Sequence, residues 1–293
     1  MRVTEGSMTD KYLYNQQKIL NRKAKVQTQI ATNTKIETLS DDLIGSLQSI
    51  KIQSQIKKTE NYLQNADRVN EFMTASLQSL DSVSAEIQKV MVIAVDAANP
   101  LNVQNYATMA QSVKDSLSSI VQSVNTKRND MYLFSGTNYQ AEPVAIDSVT
   151  GKAIVSTADF SGEVKIQISQ NATQRMNIPG SNVLNSGLFE SLNSMIDSFT
   201  SGVAPTQTQK DDLNNAFKAL LNLQSLGGQT VNRMEDVNQM LSNQKDSLNE
   251  TYAKIQEVDV PALAIDLQNH DYLLQVAYKL LANSFPKSLF DYL

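Results

Sequence analysis

The residue types that usually carry chemistry are thin in this chain, and their spacing decides what they can do. His270 is the single histidine, and cysteine is absent. A zinc site needs three or four His, Cys or carboxylate ligands, and a nucleophile triad needs a His between a Ser and an acid. One isolated imidazole supports neither. The pair Asp41–Asp42 could in principle supply an acid and a base, but adjacent residues on a helix do not face each other and cannot converge on one substrate atom. Negative charge at the positive end of a helix suits them better. No glycine-rich phosphate loop and no HExxH motif is present. The chain therefore reads as no enzyme, with no catalytic residue, no cofactor-binding residue and no metal ligand.

A different cluster stands out by its surroundings. In "NDMYLFSGTNYQ", residues 129–140, Tyr132, Leu133 and Phe134 are followed at once by the turn signals Ser135, Gly136 and Thr137. An apolar triplet against a glycine turn, after a long polar stretch, reads as a plug closing the end of a helical bundle. Contact with a neighbouring subunit is a compatible second role.

The elements that must position this plug are long helices. Ser40 is a suitable N-cap, with Asp41 and Asp42 behind it, for a helix over 42–98. From Ile52, alternating steps of four and three land on Ile56, Thr59, Leu63, Ala66, Asn70, Met73, Leu77, Leu80, Ser84, Ile87, Met91, Ala94 and Ala98. That is a sustained heptad seam with no Gly or Pro inside, and Asn99–Pro100 ends it. A third helix, over 102–131, places Tyr106, Ala110, Val113, Leu117, Ile120, Val124 and Met131 on one face. A fourth, over 210–257, repeats the heptad from Leu213 to Ile255, with the polar members Gln224, Asn238 and Lys245 and the pair Gly227–Gly228, which marks a bend or a close helix approach. Residues 141–186 differ: "EVKIQIS" alternates as a half-buried strand does, among turn signals. Leu188 to Phe199 reads as a short helix.

Both ends of the sequence carry apolar stripes with no evident core to enter. Met8, Tyr12, Ile19, Val26 and Ile30 lie near one face of the first helix. Leu267, Leu274, Tyr278, Leu281 and Phe285 line the last, followed by Leu289, Phe290, Tyr292 and Leu293. Such segments pair with each other or with a neighbouring copy. The expected fold is mainly α: a long antiparallel helical bundle or coiled coil built from both chain ends, with a small inserted β-rich domain. The expected domains are a terminal assembly domain (1–38 with 258–293), a central long-helix bundle (39–140 with 187–257) and the β-rich insert (141–186).

Composition narrows the function. The chain has 293 residues, a net charge of −5 and no basic block, which disfavours nucleic acid as a partner. No apolar run reaches the ~18–20 residues of a membrane span. The first residues lack the apolar core of a Sec signal peptide, so export would need another route.

Several motifs together resemble the FlgL family of flagellar hook-associated proteins, the hook–filament junction branch of the flagellin-like proteins. "YLFSGT" after "VNTKRND" looks like that family's signature. "SDD" at 40–42, "EIQKVMVIAVDAANP", "DFSGEVKIQIS", "RMNIPGSNVL", "VDVPALAIDLQ" and the final "SLFDYL" are similar to further family stretches, at both ends and in the middle. Filament flagellin shares the helical ends but lacks "YLFSGT". The sequence departs from the family at Asn33, where Gly is usual, at Leu43, which replaces a Pro, and in "AEPV" at 141–144. Asn tolerates the left-handed backbone, so a turn at 33 survives.

The resemblance implies a structural part of the bacterial flagellum that joins the filament to the hook side and templates flagellin polymerisation. Its implied partners are identical copies in a ring, the inner hook-associated junction protein, flagellin and an export chaperone, with no membrane insertion. It implies an extracellular location, reached through the flagellar type III apparatus without a cleaved signal. A short flagellin and, in a different class, a soluble helical signalling or adaptor module are the alternatives.

Overall fold

The computed structural model describes the backbone of residues 2–284 and the side chains of 10–280. Helices dominate: α1 (Arg2–Thr32), α2 (Leu43–Asp96), α3 (Tyr106–Val124), α4 (Gly180–Leu184), α5 (Leu188–Thr200), α6 (Gln207–Gln256) and α7 (Val260–Ser284). Six short strands form three separate antiparallel hairpins: β1–β2 (Lys127–Arg128, Met131–Tyr132), β3–β4 (Val144–Ile146, Ala153–Val155) and β5–β6 (Lys165–Ser169, Ala172–Arg175). The fold is mainly α with long helices at both ends, as the heptads predict. Contacts divide it into two units, residues 1–57 with 245–293 and residues 58–244, the division falling within α2 and α6.

In the first unit α1 and α7 pack against each other. They run antiparallel: Lys23 forms an ion pair with Asp271 near the middle of α7, and Lys35, just past α1, donates its amide to the carbonyl of Gln256, just before α7. Val26 and Leu274 are buried there. Asn33, at φ 53°, ends α1 in the left-handed conformation that Asn tolerates. The linker that follows is held by side chains. The Gln256 amide donates to the Ile36 carbonyl at 2.7 Å, and Ile36 is buried. Asp41 accepts the amides of Thr38 and Glu37, closing the turn before α2. Helix α2 is capped by Asp42, whose Oδ1 accepts the Gly45 amide at 2.9 Å. This corrects the assignment of Ser40 as N-cap: Ser40 lies in the turn, its hydroxyl 2.8 Å from that of Thr38, two residues too early to reach the first free helical amides.

In the second unit α2 and α6 are antiparallel and in fixed register. Asn238 donates to Asp67 at 2.8 Å and Gln224 to Asp81 at 2.6 Å. From 67 to 81 on one helix corresponds to 238 back to 224 on the other, two heptads in each case. Gly227 allows the close approach: a Cβ there would lie 2.7 Å from Leu77 Cδ2, whereas Gly228 faces open space. Close approach, not a bend, is the role of this glycine pair. The seam stops short of Ala98, which is exposed because α2 ends at Asp96. Asn99 then caps a 3-10 turn, Pro100–Asn105, by accepting the Leu101 amide.

Helix α3 ends at Val124, seven residues before the expected limit at 131. Met131 belongs to β2 instead. The reason is the reversal at Asn129 and Asp130, both at positive φ (49° and 61°), the backbone of a tight hairpin turn. The main buried cluster of this unit unites α2, α3, α5 and α6 with Val144 and Ala153 of β3–β4 and Phe160. Ile168 of β5 joins a second cluster with Ala66, Val69 and Met234. In "NIPGSNV", residues 177–183, Pro179 is the N-cap of α4, which starts at Gly180.

Candidate assembly surfaces

The YLFSGT segment is fixed by glycines around two phenylalanines. Leu133 and Phe134 are buried, Tyr132 is half-buried with the Lys127 ammonium 4.4 Å from its ring centroid, and Ser135 is buried with its hydroxyl donating to the Tyr132 carbonyl. Gly136 sits at φ +63°, and a Cβ there would come within 2.8 Å of the Phe160 carbonyl oxygen. Any side chain at Gly180 would overlap the Phe134 carbonyl oxygen. Thr137, against which Gly162 packs, is the exposed end of the motif. The segment therefore faces the interior of the second unit, with Tyr132 half-buried at its start and Thr137 exposed at its end.

The terminal stripes divide differently. Tyr12, Ile19, Ile30 and Leu267 are half-buried, Val26 and Leu274 are buried within the α1–α7 pair, and Tyr278 is more than half exposed. The side chains of Met8 and Leu281, and Phe285, Leu289, Phe290, Tyr292 and Leu293 altogether, lie outside the described residues. Other apolar side chains face outward on the same helices: Leu13 and Tyr14 on α1, Ile265, Tyr272 and Leu273 on α7. The start of α2 adds Leu43, Ile44, Leu47 and Ile50, all exposed. Sequence reasoning missed these four because the heptad was counted from Ile52; the signal available was the run of serines and glycine on the opposite face.

Electrostatics mark the linker. The Lys25 ammonium, and then the Thr38 amide, hold the Asp41 carboxyl down to about 2. His270 is half-buried, with no hydrogen bond at Nδ1. Among the described residues no group of three His, Cys, Asp or Glu could hold a metal ion, and no helix is long and apolar enough to cross a membrane.

Helical ends around a central insert are the pattern of two sequence profiles. The bacterial flagellin N-terminal helical region matches residues 6–139, and the bacterial flagellin C-terminal helical region matches residues 211–293. Together they match more than half of the chain. This chain belongs to the flagellin-like family. A flagellin of Halalkalibacterium halodurans is 21% identical over 267 residues, 90% of this chain and 89% of the relative. Among solved structures, a Vibrio parahaemolyticus protein provisionally described as flagellar hook-associated has a TM-score of 0.63 at 20% identity, covering 74% of this chain and all of that one. The flagellar junction protein FlgL of Legionella pneumophila has a TM-score of 0.56 at 14% identity, covering 72% of this chain and all of its own. At these identities the likeness is one of fold, and the flagellin-like ends fit a structural role in the flagellum.

Proposed function

We propose that this flagellin-like chain is a hook–filament junction protein: a structural piece that joins the filament to the hook side and offers flagellin a surface on which to polymerise. The observation that carries the proposal is the shared fold with FlgL structures over about 70% of the chain, taken together with the YLFSGT segment locked by Gly136 and Gly180. The proposed domain roles follow the sequence. Residues 1–38 with 258–293 contact neighbouring subunits, 39–140 with 187–257 form the bundle, and 141–186 form the outward insert. The partners are identical copies in a ring, the inner junction protein on the hook side and flagellin on the other. Export runs through the flagellar type III channel as an unfolded chain, with a chaperone on the apolar C-terminal helix. No step of this role is enzymatic.

The test is electron microscopy of a deletion strain. Hooks without filaments, with flagellin shed into the medium, are expected. Hooks with normally attached filaments would overturn the proposal. A short flagellin is the second reading, favoured by the flagellin relative that matches 90% of the chain; it predicts that the deletion shortens or thins filaments without shedding intact flagellin.

A further inference from the structure

The first two turns of α2 have inverted polarity. The inward positions are Gly45, Ser46 and Ser49, all buried, while Leu43, Ile44, Leu47 and Ile50 are each more than half exposed. From Ile52 the usual order returns, with Ile52 and Ile56 turned inward. The small inner residues let α2 lie close to its surroundings: Gly45 packs on Ile36, and the Ser49 hydroxyl reaches Gln256 at 3.5 Å. Four large aliphatic side chains facing water cost stability, and a contiguous patch of that kind marks a protein contact.

The charges beside the stripe specify what covers it. Asp42 borders the stripe and caps the helix through the Gly45 amide; between residues 43 and 57 the only ionisable side chains are the cations Lys51 and Lys57. The same unit carries a second outward stripe on α7, formed by Ile265 and Tyr272, each exposed by more than half. From 260 to 278 the only acids are Asp266 and Asp271, there is no Lys or Arg, and Lys23 occupies Asp271. Spacing of seven residues keeps Ile265 and Tyr272 on one face, with the exposed Asp266 at its edge. Side by side in parallel, two α2 stripes would set Lys51 against Lys51 and two α7 stripes Asp266 against Asp266, whereas Lys51 against Asp266 pairs opposite charges. Meeting of unlike patches is the arrangement that closes rings.

The geometry points to a heterologous contact between copies of this chain, in which the α2 stripe of one subunit covers the α7 stripe of the next, Lys51 facing Asp266. This rests on the junction proposal above, which requires self-association but not this surface. The chain has no cysteine, so introduced thiols report cleanly. Ile50→Cys and Ile265→Cys variants are expressed together in a strain lacking the natural copy, and isolated flagella are oxidised and run without reductant. A disulfide-linked dimer of this chain is expected only when both variants are present. A dimer from Ile50→Cys alone, or no dimer while filaments remain attached, overturns the contact and leaves the junction proposal standing. Should the thiol variants fail to support filaments, charge reversal decides. Lys51→Glu is expected to raise filament shedding at least tenfold, and adding Asp266→Lys to bring it back toward the wild-type level. A double variant no better than the single one overturns the contact. Attached filaments in the plain deletion strain would strike at the junction proposal itself.

Discussion

Asn238 donates its side-chain amide to the Asp67 carboxylate at 2.8 Å, while its own carbonyl oxygen is buried without a hydrogen-bond partner. One half of the amide fixes the α2–α6 register and the other half is a loss. Asp67 is exposed and can be hydrated, so removing the amide leaves no buried charge behind. Asn238→Leu should therefore stabilise the second unit by about 1 kcal/mol, a rise of roughly 2–4 °C in melting temperature. A fall of the same size would mean that the bond to Asp67 outweighs the stranded carbonyl.

The adjacent glycines should separate by context. Gly228 meets nothing within 4 Å, so Gly228→Ala should gain the helix-propensity difference of about 1 kcal/mol. Gly227→Ala must displace the end of Leu77 and should gain less. Gly227→Val should destabilise. Urea denaturation of the three variants measures this; equal gains at both positions would refute the close approach of α2 and α6.

Gly180 leaves no such latitude, because its neighbour is the rigid Phe134 carbonyl. Gly180→Ala should cost about 3 kcal/mol or more by overpacking. Phe134→Ala, which empties a fully buried site, should cost about 3–5 kcal/mol. Thermal melts that barely move for either variant would place the YLFSGT segment outside the core.

The linker carries a pH signature. The Asp41 carboxyl is held down to about 2 by Lys25 and then by the Thr38 amide, below its ordinary value of roughly 3.9. Its folded value is depressed, so its contribution to order in the linker is fully present above about pH 4 and is lost as the pH falls toward about 2. An NMR titration should show the low midpoint, and Lys25→Met should raise it. A midpoint at the ordinary value in the parent chain would break the assigned contact.

The long helices were legible because heptads need only residue types at fixed steps, and Leu80, Ile87, Leu213, Leu220 and Met234 are buried where the steps placed them. The end of α3 was not legible: Asn129 and Asp130 are ordinary polar residues until the backbone takes them to positive φ. The cap at Asp42 was placed at Ser40 instead, because Ser and Asp are both capping types and only the turn at 38–41, closed by Asp41, sets where the helix begins. The polar seam positions Asn238 and Gln224 each meet an aspartate that lies off the counted seam. The outward stripe at Leu43–Ile50 escaped because heptad counting looks for what is buried and passes over inverted polarity.

The position of the chain in the flagellum is the central claim, and immunogold labelling of intact flagella tests it most directly. An antibody against the exposed β3–β4 hairpin tip, around Val149, should label one narrow band at the boundary between hook and filament. Label spread along the whole filament would contradict the junction role and establish the chain as a filament subunit.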